Sequence, residues 1–150
     1  MRRRNAIAVL LGATAATALQ LGARADGAEL GPKQLAAMLL RVLAYDRNLK
    51  TRSGGKAAPI VVLYQEGNQA SEAMQSDVSN ALEDLTASVT VADLHVTSFP
   101  LAYGHLAELE AKLTVKRPVA MFVCTGLAEA VPALSGLARK HSILTMTLNT

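Results

Sequence analysis

The chain predicts an α/β fold, a Rossmann-like three-layer domain with a mainly parallel sheet. Three observations lead there. Residues 60–64 and 118–124 are short apolar runs of the kind a strand covered on both faces requires. Amphipathic helical stretches lie between and around them. The elements alternate in the order α-β-α-β-α-β-α-β, which right-handed crossovers convert into parallel neighbours.

Ahead of the domain, the first 25 residues read as a secretory leader. Met1-Arg2-Arg3-Arg4-Asn5 is a positive start, residues 6–21 form an apolar run, and Ala23-Arg24-Ala25 is a small-x-small processing site before Asp26. A membrane anchor fits less well. Thr14, Thr17 and Gln20 interrupt the run, and no stop-transfer charge cluster ends it. The expectation is export to the periplasm with cleavage after Ala25, leaving a single α/β domain over residues 26–150. Cleavage removes four of the 15 Lys and Arg and none of the 12 Asp and Glu, so the mature net charge is −1. With no basic cluster and only three Tyr and two Phe, nucleic acid is excluded as a partner.

The first helix is expected over residues 32–51, opened by Gly31-Pro32, with Leu35, Met38, Leu39, Val42, Leu43 and Leu49 at helical spacing. Ser53-Gly54-Gly55 stops it. Pro59 opens the strand Ile60-Val61-Val62-Leu63-Tyr64, too short for a helix and rich in β-branched residues. Glu66-Gly67-Asn68 then turns into a second helix whose apolar stripe is Met74, Val78, Leu82 and Leu85, with Asn68 as the N-cap. Val89, Val91, Leu94, Val96 and Phe99 suggest a strand closed by Pro100. Ala92-Asp93 breaks its pattern, so an edge position or a bend is expected there. A third helix spans residues 103–115. After the strand 118–124, a fourth helix covers 127–141, its proper start near Glu129 or Ala130 so that Pro132 falls in the first turn. Residues 143–148 form the last strand. No helix follows to cover it, so the domain is expected to be incomplete at its C-terminus.

In such a sheet the ligand crevice lies beyond the carboxyl ends of the strands. Those ends are read at Gln65-Glu66-Gly67-Asn68, Ser98-Phe99-Pro100, Cys124-Thr125-Gly126 and Leu148-Asn149-Thr150, which makes Asn68, Ser98 and Thr125 the candidate ligand-binding residues. Together with the N–H groups at helix starts they could receive a small anion or a polar ligand. Ser53-Gly54-Gly55-Lys56 resembles a phosphate loop in composition but precedes a strand rather than following one, so it is a connector. His95, His105 and His141 share no metal-ligand spacing, and His141 is expected to serve the terminal carbonyls of its helix. No metal and no cofactor are assigned. Cys124 is the only cysteine, which rules out an internal disulfide, and it is read as a buried small hydrophobe. No base can be placed beside it, so no catalytic residue is assigned and the chain is not read as an enzyme.

From Leu35 to Thr150 the chain resembles the YfiR/HmsC-type family of periplasmic regulators. The resemblance rests on Leu35-Ala36-Ala37-Met38-Leu39-Leu40-Arg41-Val42-Leu43-Ala44-Tyr45-Asp46, on Pro59 with the strand after it, on Ala120-Met121-Phe122-Val123 and on Ser142-Ile143-Leu144-Thr145-Met146-Thr147. It implies an exported, non-enzymatic regulator that represses an inner-membrane diguanylate cyclase and so lowers cyclic di-GMP. The implied partner is the periplasmic region of such a membrane signalling protein, with a homodimer left open. Two departures stand out: Tyr45-Asp46-Arg47-Asn48-Leu49 replaces a Trp-Pro pair that ends the first helix in many members, and the paired cysteines of the best-known branch are absent. The competing expectation is a lobe or relative of a periplasmic solute-binding protein serving an ABC importer, which shares the leader, the sheet order and the polar strand ends.

Overall fold

The computed structural model describes residues 30–148. The expected leader and cleavage site, with Asn149 and Thr150, lie outside them. The elements are α1 (Pro32–Tyr45), α2 (Leu49–Ser53), β1 (Ala57–Gln65), α3 (Gln69–Thr86), β2 (His95–Tyr103), α4 (Leu106–Lys116), β3 (Ala120–Val123), α5 (Val131–Lys140, preceded by a 3-10 turn at Ala128–Ala130) and β4 (Leu144–Thr147). All strands are parallel and lie in the order β2-β1-β3-β4.

The predicted α/β class and parallel sheet are present, and the two-residue period of the strands explains the layering. Ile60, Val62, Ala120 and Phe122 point to one face, where they pack with Leu35, Leu39 and Leu43 of α1 and Val78 and Leu82 of α3. Val61, Leu63, Met121 and Val123 point to the other, against Leu109 and Leu113 of α4 and Leu134 and Leu137 of α5. Every residue of β3 is buried, as its continuous apolar run requires.

The first helix is not continuous over residues 32–51. It stops at Asp46, whose backbone is extended (φ −75°, ψ 103°), and a short α2 follows. Asp46 causes the break. Its carboxylate accepts the N–H of Asn48 at 2.9 Å, an Asx turn that competes with the helical bond, and is paired with Arg52. Arg52 also donates to the carbonyl of Val119 at 3.0 Å and to that of Ser142. One guanidinium thus ties the helix break to the residues just before β3 and β4. Ser53-Gly54-Gly55 acts as the expected connector, with Gly54 in the left-handed region (φ +68°) at the C-cap of α2.

β1 begins at Ala57, so Pro59 lies inside it. A residue's N–H and C=O point to the same side of a strand, and the Pro59 carbonyl accepts from Val119 N at 2.8 Å. The missing N–H therefore faces the segment where β3 has not yet begun, and no ladder bond is lost. The expected strand from Val89 is corrected too. Val91 and Leu94 bracket a two-residue turn with Ala92 and Asp93 both at positive φ (51° and 63°), and β2 starts only at His95. The strand then runs through Pro100 to Tyr103 rather than closing at the proline. As an edge strand it leaves one row of backbone groups outside the sheet, where proline is tolerated. Because Tyr103 is strand, α4 starts at Leu106 instead of Tyr103. β3 and β4 are each shorter than their apolar runs. Pro132 occupies the first turn of α5, as expected. Among the described residues no helix is long and apolar enough to cross a membrane.

Candidate functional site

The chain leaves β1 for β2 through α3 on one face of the sheet, and leaves β3 for β4 through α5 on the other. The connections after the two central strands thus diverge at the carboxyl ends of β1 and β3, the position at which open parallel sheets bind ligands.

Two of the three candidate residues meet there. Asn68, the N-cap of α3, accepts the N–H of Ser71 at 3.2 Å through its side-chain oxygen and donates from Nδ2 to Oε1 of Gln65 at 3.0 Å. On the β3 side, Gly126 presses its backbone against both amides. A Cβ added at Gly126 would stand 2.6 Å from Asn68 Nδ2 and 2.7 Å from Gln65 Oε1. Its φ of +89° is also reserved for glycine. Thr125, the next residue back, directs its N–H at the sulfur of Met74 on α3, 3.4 Å away. It lines two cavities. One, of about 360 Å³, is bounded by Cys124, Gly126, Val131, Pro132 and Leu148; the other, of about 550 Å³, by Leu35, Ala70, Met74, Asp77 and Val78.

Ser98 does not join them. It is the fourth residue of β2, opposite Ile60, and lines a separate hollow with Glu83, Thr86 and His95. Because β2 continues past Pro100, the true carboxyl end is Tyr103, five residues and roughly 16 Å further on.

The N-terminus of α3 is already met by negative charge. Glu72, in its first turn, accepts the N–H of Gly67 at 2.8 Å, and the fully buried Ser71 hydroxyl accepts the N–H of Gln65 at 2.9 Å. With its first N–H groups taken up and Asp77 lining the neighbouring cavity, the site suits an uncharged polar or zwitterionic ligand better than an anion. Sequence reasoning missed Gln65, Ser71, Met74 and Gly126 as members of the site. Only Gly126, a glycine directly after an apolar strand, carried a readable signal.

Cys124 is buried, and desolvation pushes its thiol pKa up to about 12, so it is an inert thiol beneath the crevice rather than a nucleophile. His141 differs from its expected role. Its Nε2 lies 3.3 Å from Glu110 on α4, which also pairs with Lys140. The bonds to Lys140 and then His141 hold the Glu110 carboxyl below its ordinary value. Among the described residues no group of three or more His, Cys, Asp or Glu could hold a metal ion.

No family model and no curated protein sequence matches the chain. Among solved structures, an ABC transporter substrate-binding protein from Desulfitobacterium hafniense in complex with Leu aligns with 79% of this chain at 15% identity and a TM-score of 0.47. A second structure of an ABC transporter substrate-binding protein from that organism aligns with 77% of it at 17% identity and a TM-score of 0.42. The chain spans about a third of the length of each, 32% and 30%.

Proposed function

We propose that the domain binds a small, uncharged or zwitterionic polar solute in the crevice between β1 and β3, as one lobe of a solute-binding protein of the importer type would. The observation that carries this is the convergence of Gln65, Asn68, Thr125 and Gly126 where the two central connections part. The adjoining cavities of about 360 and 550 Å³ fall in the range of small-molecule sites. Export to the periplasm with cleavage after Ala25 belongs to the same reading.

Calorimetric titration with a panel of amino acids, short peptides and sugars tests it. A saturable ligand is expected whose binding is lost in Gln65→Leu and Thr125→Val at unchanged melting temperature. Failure of every panel member to bind, or binding indifferent to both substitutions, would overturn the reading.

The second reading is the exported regulator of a membrane diguanylate cyclase. It is favoured by the apolar side chains that α1 leaves exposed, Met38, Val42 and Tyr45. Deleting the gene separates the two. Raised cyclic di-GMP supports the regulator, and loss of uptake of one solute supports the binding lobe.

A further inference from the structure

Charge is sorted along this chain. Between Ala57 and Ala111 there are eight Asp and Glu and not one Lys or Arg, whereas α1 contains no acidic residue at all. The fold sets the two kinds side by side, because α1 and α3 pack against each other on the same face of the sheet.

The outer side of α1 is apolar and basic. Met38, Val42 and Tyr45, at spacings of four and three, are 44%, 43% and 84% exposed, and Lys33, Arg41 and the following Arg47 surround them. Asp46, at the end of the helix, is taken up by Arg52. The outer side of α3 is acidic and small: Ala73, Ser76 and Asn80 run down its middle, flanked by Asp77, Glu83 and Asp84, all exposed. An apolar stripe rimmed by cations thus lies beside a shallow strip of small residues rimmed by carboxylates. Each is the complement of the other, yet on one molecule both face outward and cannot meet.

We propose that a second copy of this chain covers this face, forming a two-fold dimer in which α1 of each protomer packs on α3 of the other. A two-fold axis lying in the interface along the groove between α1 and α3 places the helices this way. The axis at right angles to it, still in the interface, would set α1 on α1 and oppose like charges. An isologous interface needs a self-complementary surface, and this one is self-complementary in both charge and relief. The contact residues also suit an interface core: Met, Tyr and Arg are enriched there, and small residues opposite let the large ones seat. Helices of 14 and 18 residues give contact lengths of roughly 21 and 27 Å at 1.5 Å per residue.

Sedimentation of the purified full-length gene product tests the proposal by a charge exchange. The wild-type chain should be dimeric, with affinity falling as salt is raised from about 0.05 to about 0.5 M, because the Debye length shortens from roughly 14 Å to roughly 4 Å. Arg41→Glu alone and Asp84→Lys alone should each weaken the dimer about tenfold or more, since each sets like charges across both halves of the interface. Mixed together, the two variants should form a heterodimer, because one half then pairs Glu at 41 with Lys at 84 and the other half is wild type. Circular dichroism of each variant shows that it is folded. A wild-type chain that stays monomeric overturns the proposal, and binding of that monomer to anionic lipid vesicles would assign the face to a membrane instead. Dimers indifferent to both reversals, or no recovery on mixing, would also overturn it.

Discussion

Replacing Gly126 by alanine perturbs the candidate site at its tightest point. The added Cβ would stand 2.6 Å from Asn68 Nδ2 and 2.7 Å from Gln65 Oε1, distances real Cβ atoms do not adopt, so both side chains must move. Two costs follow. A non-glycine residue at φ +89° is strained by about 1–2 kcal/mol. Displacing Asn68 removes the acceptor for Ser71 N–H at the start of α3, and losing such a cap costs about 1 kcal/mol. The sum, roughly 2–3 kcal/mol, corresponds to about 8–12 °C in melting temperature for a domain of this size. Gly136, inside α5, has open space around it and no positive φ, so Gly136→Ala should stabilise by about 0.5–1 kcal/mol. Thermal denaturation followed by circular dichroism on both variants measures the contrast. Equal melting temperatures for Gly126→Ala and the wild type would refute the packing at the crevice.

Other perturbations give equally definite outcomes. The Cys124 thiol, buried and pushed up to about 12, should react with a thiol reagent at pH 8 only as fast as the protein unfolds; rapid labelling of the folded chain contradicts this. Asp46 loses some hydration, which opposes ionisation, but its bonds to Arg52 and Asn48 prevail and hold its carboxyl below 3.8. Its contribution to stability is therefore complete above the unfolded-state value and lost as pH falls through the lower folded-state one. Arg52→Met should cost about 2–3 kcal/mol at pH 7, because it strands a partly buried carboxylate and removes one donor from each of the Val119 and Ser142 carbonyls, and it should flatten the acid limb of a stability-against-pH profile. An unchanged acid limb would contradict the assignment. The Thr145 hydroxyl on β4 is buried with no partner among the described residues, so Thr145→Val should raise stability in urea by about 1 kcal/mol; a loss would mean the hydroxyl is satisfied after all.

The parts of the fold that were legible in the sequence are those where a single physical cause dominates. The continuous apolar run of β3 admits only a strand covered on both faces, and the stripe Val78 and Leu82 admits only a helix on the sheet. Where two local causes compete, the reading failed. Asp46 sits in a run that is helical by periodicity, yet its side chain takes the Asn48 N–H and an arginine from the next turn, and the helix breaks. Pro100 normally ends a strand, but an edge strand tolerates it, and although the broken pattern at Ala92-Asp93 pointed to an edge or a bend, that hint was not carried through to the proline. The same misreading put Ser98 among the site candidates, whereas the strand carries it away from the site. Asn68 and Thr125 were found because they directly follow strands whose ends are clear. Gln65 joins them through a local side-chain bond to Asn68, three residues on, and Met74 through a contact with Thr125, fifty-one residues away in sequence.

The central claim is that the crevice between the carboxyl ends of β1 and β3 receives a small polar ligand. Amide chemical-shift mapping of the isotopically labelled protein during titration with the amino acid, peptide and sugar panel tests it most directly. Saturable shifts concentrated at Gln65, Asn68, Thr125 and Gly126 are predicted for at least one panel member. Shifts gathered instead around Arg52 and His141 at the amino ends of the strands, or no saturable shift with any member, would contradict the account.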